Sequence, residues 1–70
     1  MLIKRSMRIA GHRTSIALEA EFWEALAISA ARQGLAMTEL IARIDAERAE
    51  RDPGQPLASA ARVFALMHKG

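Results

Sequence analysis

The stretch Arg13-Thr14-Ser15-Ile16-Ala17-Leu18 limits what this chain can fold into more than any other. Its side chains alternate. Thr14, Ile16 and Leu18 fall on one face of an extended strand, and Arg13, Ser15 and Ala17 fall on the other. Thr and Ile are β-branched and favour extended backbone. A strand cannot stand alone, because its backbone N–H and C=O groups need partners wherever water is excluded. Elsewhere only Ser6-Met7-Arg8-Ile9 alternates at all, and Gly11 then marks a turn. Two outcomes are open. Residues 6–9 fold back on 13–18 as a hairpin, or two copies of the chain pair their 13–18 strands antiparallel about a two-fold axis.

Size favours the second outcome. Seventy residues make one small domain that buries a modest share of its surface. Such domains are usually stapled by disulfides, a metal or a second subunit. Cysteine is absent, and His12 and His68 lie far apart with no ligand-like spacing, so a partner copy is the staple that remains. Half of the residues are apolar (51%), enough to cover a shared core.

Everything after the strand has helical spacing. A helix is expected over residues 20–33, with Phe22, Leu26, Ser29 and Ala30 in one seam and Trp23 and Ala27 beside it. Glu21 and Glu24 near its start and Arg32 near its end suit the helix dipole, and Gly34 supplies a left-handed terminus. Leu35 then tucks back on the core. A second helix over 37–50 presents Met37, Leu40, Ile41 and Ile44, and Glu47 and Arg51 are spaced for an ion pair on its charged half. Asp52-Pro53-Gly54-Gln55-Pro56 reads as a linker. A third helix over 56–68 puts Leu57, Ala60, Ala61 and Phe64 on one face, extended by Met67 or His68. The expected division is a basic arm over 1–11 that admits a short extra strand, a strand-helix-helix core over 12–51, and the last helix.

Charge is lopsided although the net value is only +2. No acid precedes Glu19, whereas Lys4, Arg5, Arg8 and Arg13 are cationic; residues 19–52 are net acidic. A basic arm on an acidic body suits contact with phosphates. A two-stranded ribbon also fits the major groove of DNA. Catalysis finds no support: there is no partnered nucleophile, no metal cluster and no phosphate-cradling glycine loop, so no cofactor and no enzyme activity are expected. No apolar run nears the roughly 20 residues of a membrane span. No apolar core follows Met1-Leu2-Ile3-Lys4-Arg5 as in a signal peptide, so a cytoplasmic location is expected.

Strand, helix, Gly-Leu turn and helix in this order resemble the ribbon-helix-helix family, which includes the Arc and CopG repressors. The segments that carry the resemblance are Arg13-Thr-Ser-Ile-Ala-Leu, Glu21-Phe-Trp-Glu-Ala-Leu and Gly34-Leu-Ala-Met-Thr-Glu-Leu-Ile. Gly11-His-Arg-Thr-Ser-Ile, Phe22-Trp, Ile41-Ala-Arg-Ile-Asp and Ser59-Ala-Ala-Arg-Val-Phe are similar to a bacterial subgroup with an added C-terminal helix. The resemblance implies a mainly α fold, an intertwined homodimer with an intermolecular β-ribbon, and transcriptional regulation through operator DNA. It also implies base-facing roles for Arg13, Ser15 and Ala17. Arg13 can pair with guanine, Ser15 is less selective, and Ala17 departs from the usual polar residue. A phosphate is implied at the N-terminus of the second helix, on the free N–H groups of Met37 and Thr38, although Ala36 replaces the usual Ser or Thr cap.

The remaining residues read more plainly. Lys4, Arg5 and Arg8 are expected at phosphates rather than bases. Phe22 and Trp23 are expected in the core, His12 in a turn, and Arg43 and Arg48 in surface ion pairs. The third helix caps the dimer, and Val63, Phe64 and Met67 leave room on it for a protein partner. The alternative reading is therefore a dimeric interaction module, or an antitoxin-like protein, with little DNA readout.

Overall fold

A computed structural model describes residues 1–68. Strand β1 (Leu2–Ile9) and strand β2 (His12–Glu19) form an antiparallel hairpin, and three helices follow: α1 (Ala20–Arg32), α2 (Met37–Arg51) and α3 (Leu57–Met67). The strand and helices lie within one or two residues of the expected bounds. The N-terminal segment departs most: residues 2–9 are not an arm with a short strand but a full strand as long as β2. Within the chain, strand 13–18 is thus paired by the hairpin route, and the second edge of β2 is left open.

The register is set at the turn. Ala10 and Gly11 both have positive φ, 53° and 81°. That is the signature of the two-residue turn whose twist matches a hairpin. Ile9 faces His12, and the pairing runs through Arg8↔Arg13, Met7↔Thr14, Ser6↔Ser15, Arg5↔Ile16, Lys4↔Ala17 and Ile3↔Leu18 to Leu2↔Glu19. Glycine adopts left-handed backbone freely, but for alanine it costs about 1–2 kcal/mol. Asn-Gly is the favoured pair for this turn. Ala10→Asn should therefore raise unfolding stability by about 1 kcal/mol in urea titrations. Ala10→Val, β-branched, should lower it.

Alternation sorts the hairpin into two faces. Ile3, Arg5, Met7 and Ile9 share a face with Thr14, Ile16 and Leu18. Ile9, Ile16 and Leu18 are buried on it. The helices pack there, α2 against β1, and α1 and α3 against β2. The core adds Trp23, Leu26 and Ala30 from α1, Leu40, Ile41 and Ile44 from α2, and Ala60, Ala61 and Ala65 from α3.

The seams differ from expectation in detail. In α1 it is Trp23, not Phe22, that is fully buried; Phe22 is half-buried and Ala27 is exposed. In α3 the buried stripe turns towards Ala65, leaving Met67 and His68 exposed. The end of α1 follows its glycine: Gly34 has φ 68°, its N–H donates to the Ala31 carbonyl at 3.1 Å, and the Leu35 N–H donates to the Ala30 carbonyl at 2.9 Å. Leu35 thereby packs on the core as expected. The ion pair on α2 is Arg48 with Asp45 at 2.7 Å, and Arg48 also donates to the carbonyls of Pro53 and Gln55, tying the linker to the helix.

Candidate nucleic-acid interface

The helices leave one face of the hairpin uncovered. By the same register it carries Lys4, Ser6 and Arg8 from β1 and Arg13, Ser15 and Ala17 from β2. All are exposed except Ala17, which is half-buried. Of the residues that sequence reasoning singled out, Lys4, Arg8, Arg13, Ser15 and Ala17 thus stand together. Ser6 was missed. It lies opposite Ser15, and the two hydroxyls are 3.1 Å apart. Ser6, Arg13, Thr14 and Ser15 line a shallow hollow of about 290 Å³ along this strip.

Electrostatics make the face unusual. Arg8 sits directly across from Arg13, and like charges in that position destabilise a sheet. Neither has a salt-bridge partner among the described residues. The carboxylate at the end of the hairpin, Glu19, is engaged: Arg62 of α3 donates to its Oε1 at 3.0 Å. A hydrogen bond from its own backbone, and then Arg62, hold the Glu19 carboxyl below its usual pKa. A depressed pKa adds stability that is present above the unfolded pKa and is lost as pH falls through the folded one. The stability advantage of wild type over Glu19→Gln should therefore be constant at neutral pH and vanish on acidification, as measured by denaturation across the acid range.

The other expected contacts lie elsewhere. Arg5 is on the helix-covered face, with its guanidinium 4.8 Å from the centre of the Trp23 ring. It does not join Lys4 and Arg8. Met37 is half-buried against the core, and Thr38 is exposed at the start of α2. Half of the capping arrangement expected to be missing there is present: the Ala36 N–H donates to Glu39 Oε1 at 2.8 Å, while the Ala36 side chain has no acceptor to complete it. That carboxylate places a negative charge where a phosphate would sit.

The two edges of the hairpin also differ. A two-residue turn closes on a hydrogen bond between its flanking residues, so Ile9 and His12 form a bonded pair. Pairs then alternate along the ladder. The backbone groups of Arg13, Ser15 and Ala17 consequently point away from β1, into the second edge of β2. Edge strands that resist pairing carry charges. β1 has Lys4, Arg5 and Arg8; β2 has one cation, Arg13, between residues 13 and 18.

Residues 2–69 match the family model described as a ribbon-helix-helix domain. No curated protein and no solved structure matches the chain.

Proposed function

The chain belongs to the ribbon-helix-helix family, and from that premise we propose that it is a homodimeric, sequence-specific DNA-binding regulator, a repressor of the bacterial cytoplasm. Domains of this family generally dimerise and bind DNA. The observation that carries the reading is the uncovered basic face, on which Arg8 and Arg13 oppose each other without a carboxylate between them. A polyanion relieves that repulsion.

On this reading two copies join through the second edges of β2, in the order β1-β2-β2-β1. Strand axes lie about 4.8 Å apart, so the outer pair stand roughly 14 Å apart. The major groove is about 12 Å wide. The central β2 pair enters the groove with Arg13, Ser15 and Ala17 towards the bases. The β1 strands ride the rims, where Lys4 and Arg8 meet phosphates. Arg13 pairs with the two acceptors of guanine, Ser15 and Ser6 offer less selective hydroxyls, and Ala17 meets a thymine methyl. The phosphates supply most of the affinity, and the strand residues supply the discrimination.

Selection from a random duplex pool, followed by titration of the enriched site at several salt concentrations, tests this. The expected result is one enriched motif with two-fold symmetry and an affinity that falls steeply with salt. Salt-insensitive binding, or no enrichment, rejects it. A second reading keeps the dimer but gives it a protein partner, as in an antitoxin-like protein. The exposed Val63, Leu66 and Met67 of α3 favour it. Stoichiometric co-purification of one protein, with indifference to DNA, is the result that would select it.

A further inference from the structure

Trp23 touches more than its own core. It is only 3% exposed, and its indole N–H donates to the carbonyl of Ile3 at 2.8 Å. The guanidinium of Arg5 lies over the same ring. Trp23 is in the first turns of α1, and α1 follows β2 without a break. The end of β2 is therefore fixed by the chain itself. No described element precedes the facing end of β1. Leu2 and Ile3 are 54% and 39% exposed, so burial holds them weakly. A strand end with so little burial stays ordered only when tied down. Besides the ladder to β2, the tie here is one hydrogen bond to the backbone and one cation over the ring, both on Trp23.

We propose that Trp23 and Arg5 are positioning residues that pin residues 2–5 of β1 against the covered face, in the register the turn sets, and thereby hold Lys4 on the opposite, DNA-facing side. Lys4 lies between Ile3 and Arg5 and points to the opposite face, across from Ala17. Fixing its two neighbours from below leaves it one place to be. Arg5 acts through the indole and not at a phosphate. The inference rests on the DNA-binding reading for its consequence but not for its geometry.

Trp23→Phe keeps a buried aromatic ring and loses the N–H. In the full-length chain, amide exchange at Ile3 and Arg5 should then speed up by about two- to tenfold, with Met7 and Ile9 unchanged. Uniform acceleration along β1 would mean general destabilisation and would overturn the inference. Trp23 is the sole tryptophan, so its emission reports the contact with Arg5. Arg5→Ala should shift that emission to the red, and Arg5→Lys should restore it; an unchanged spectrum counts against the contact. Affinity for a random-sequence duplex provides the last arm. If Arg5→Ala weakens binding as much in the Trp23→Phe background as in wild type, Arg5 is an independent phosphate contact and the proposal fails. Non-additive losses support it. If no variant binds any duplex, the DNA reading fails, while exchange and emission still decide the pinning.

Discussion

Arg13→Ala should weaken binding to a selected DNA site by about 1–3 kcal/mol for each arginine–guanine pair removed, and relax base preference at the corresponding position. A dimer carries two copies of the residue, so the effect counts twice where both half-sites are read. The fold should survive. Arg13 is exposed and has no salt-bridge partner among the described residues, and its removal relieves the repulsion with Arg8. Unchanged or raised thermal stability together with weaker discrimination is therefore the expected pair of results. Lys4→Ala differs in kind. It should weaken binding to all duplexes alike and reduce the salt slope by about one per phosphate. Measuring both variants on cognate and scrambled duplexes separates base reading from phosphate binding.

Leu18→Ala should be the most destabilising single change on the hairpin. Leu18 is completely buried, and β2 and α1 meet just beyond it at Glu19 and Ala20. Truncating a buried leucine costs about 2–5 kcal/mol, through forfeited transfer energy and the cavity left behind. A domain of this size has little stability to spare, so much of the population should unfold. Urea denaturation at fixed protein concentration reads the change. Loss of DNA binding in this variant would follow from unfolding. Only Arg13→Ala, with its fold intact, speaks to readout.

The two strands show where the sequence was legible and where it was not. In β2 the pattern is clear, because one face meets the core and the other does not: Ile16 and Leu18 are buried beside a half-buried Thr14, and Arg13 and Ser15 are exposed beside a half-buried Ala17. In β1 the outer face follows the same rule with Lys4, Ser6 and Arg8, but its inner face is interrupted by Arg5. A guanidinium on the covered side breaks the alternation; it is tolerated because Arg5 stays exposed to solvent while its guanidinium lies over the Trp23 ring. The two residues are far apart in the chain, so their pairing leaves no local trace. The turn was signalled by Gly11, but not its type, since Ala10 occupies a place where asparagine or glycine would have announced it. Ser6 was passed over for the same reason: its importance comes from facing Ser15, which only the register supplies.

The helices were easier, because spacing and composition agree. Leu40, Ile41 and Ile44 are buried as their spacing implies, and Gly34 ends α1 in the expected left-handed conformation. The shift from Phe22 to Trp23 arises because these two neighbours lie about 100° apart on a helix. Which of them faces inward depends on how α1 sits against the hairpin. At the start of α2, Ala36 correctly marked a weak cap, yet Glu39 still reaches back to its N–H. A phosphate anchor at Met37 and Thr38 therefore competes with a carboxylate already in place.

On the proposed reading, dimerisation and groove binding both depend on the second edge of β2. An isotope-filtered NMR experiment on an equal mixture of labelled and unlabelled chains, bound to a selected duplex, would examine that edge directly. The expected result is cross-strand proximity between residues 13–17 of different copies, with each β1 remaining paired to its own β2. A monomeric complex, or proximity between copies confined to α3, would contradict it.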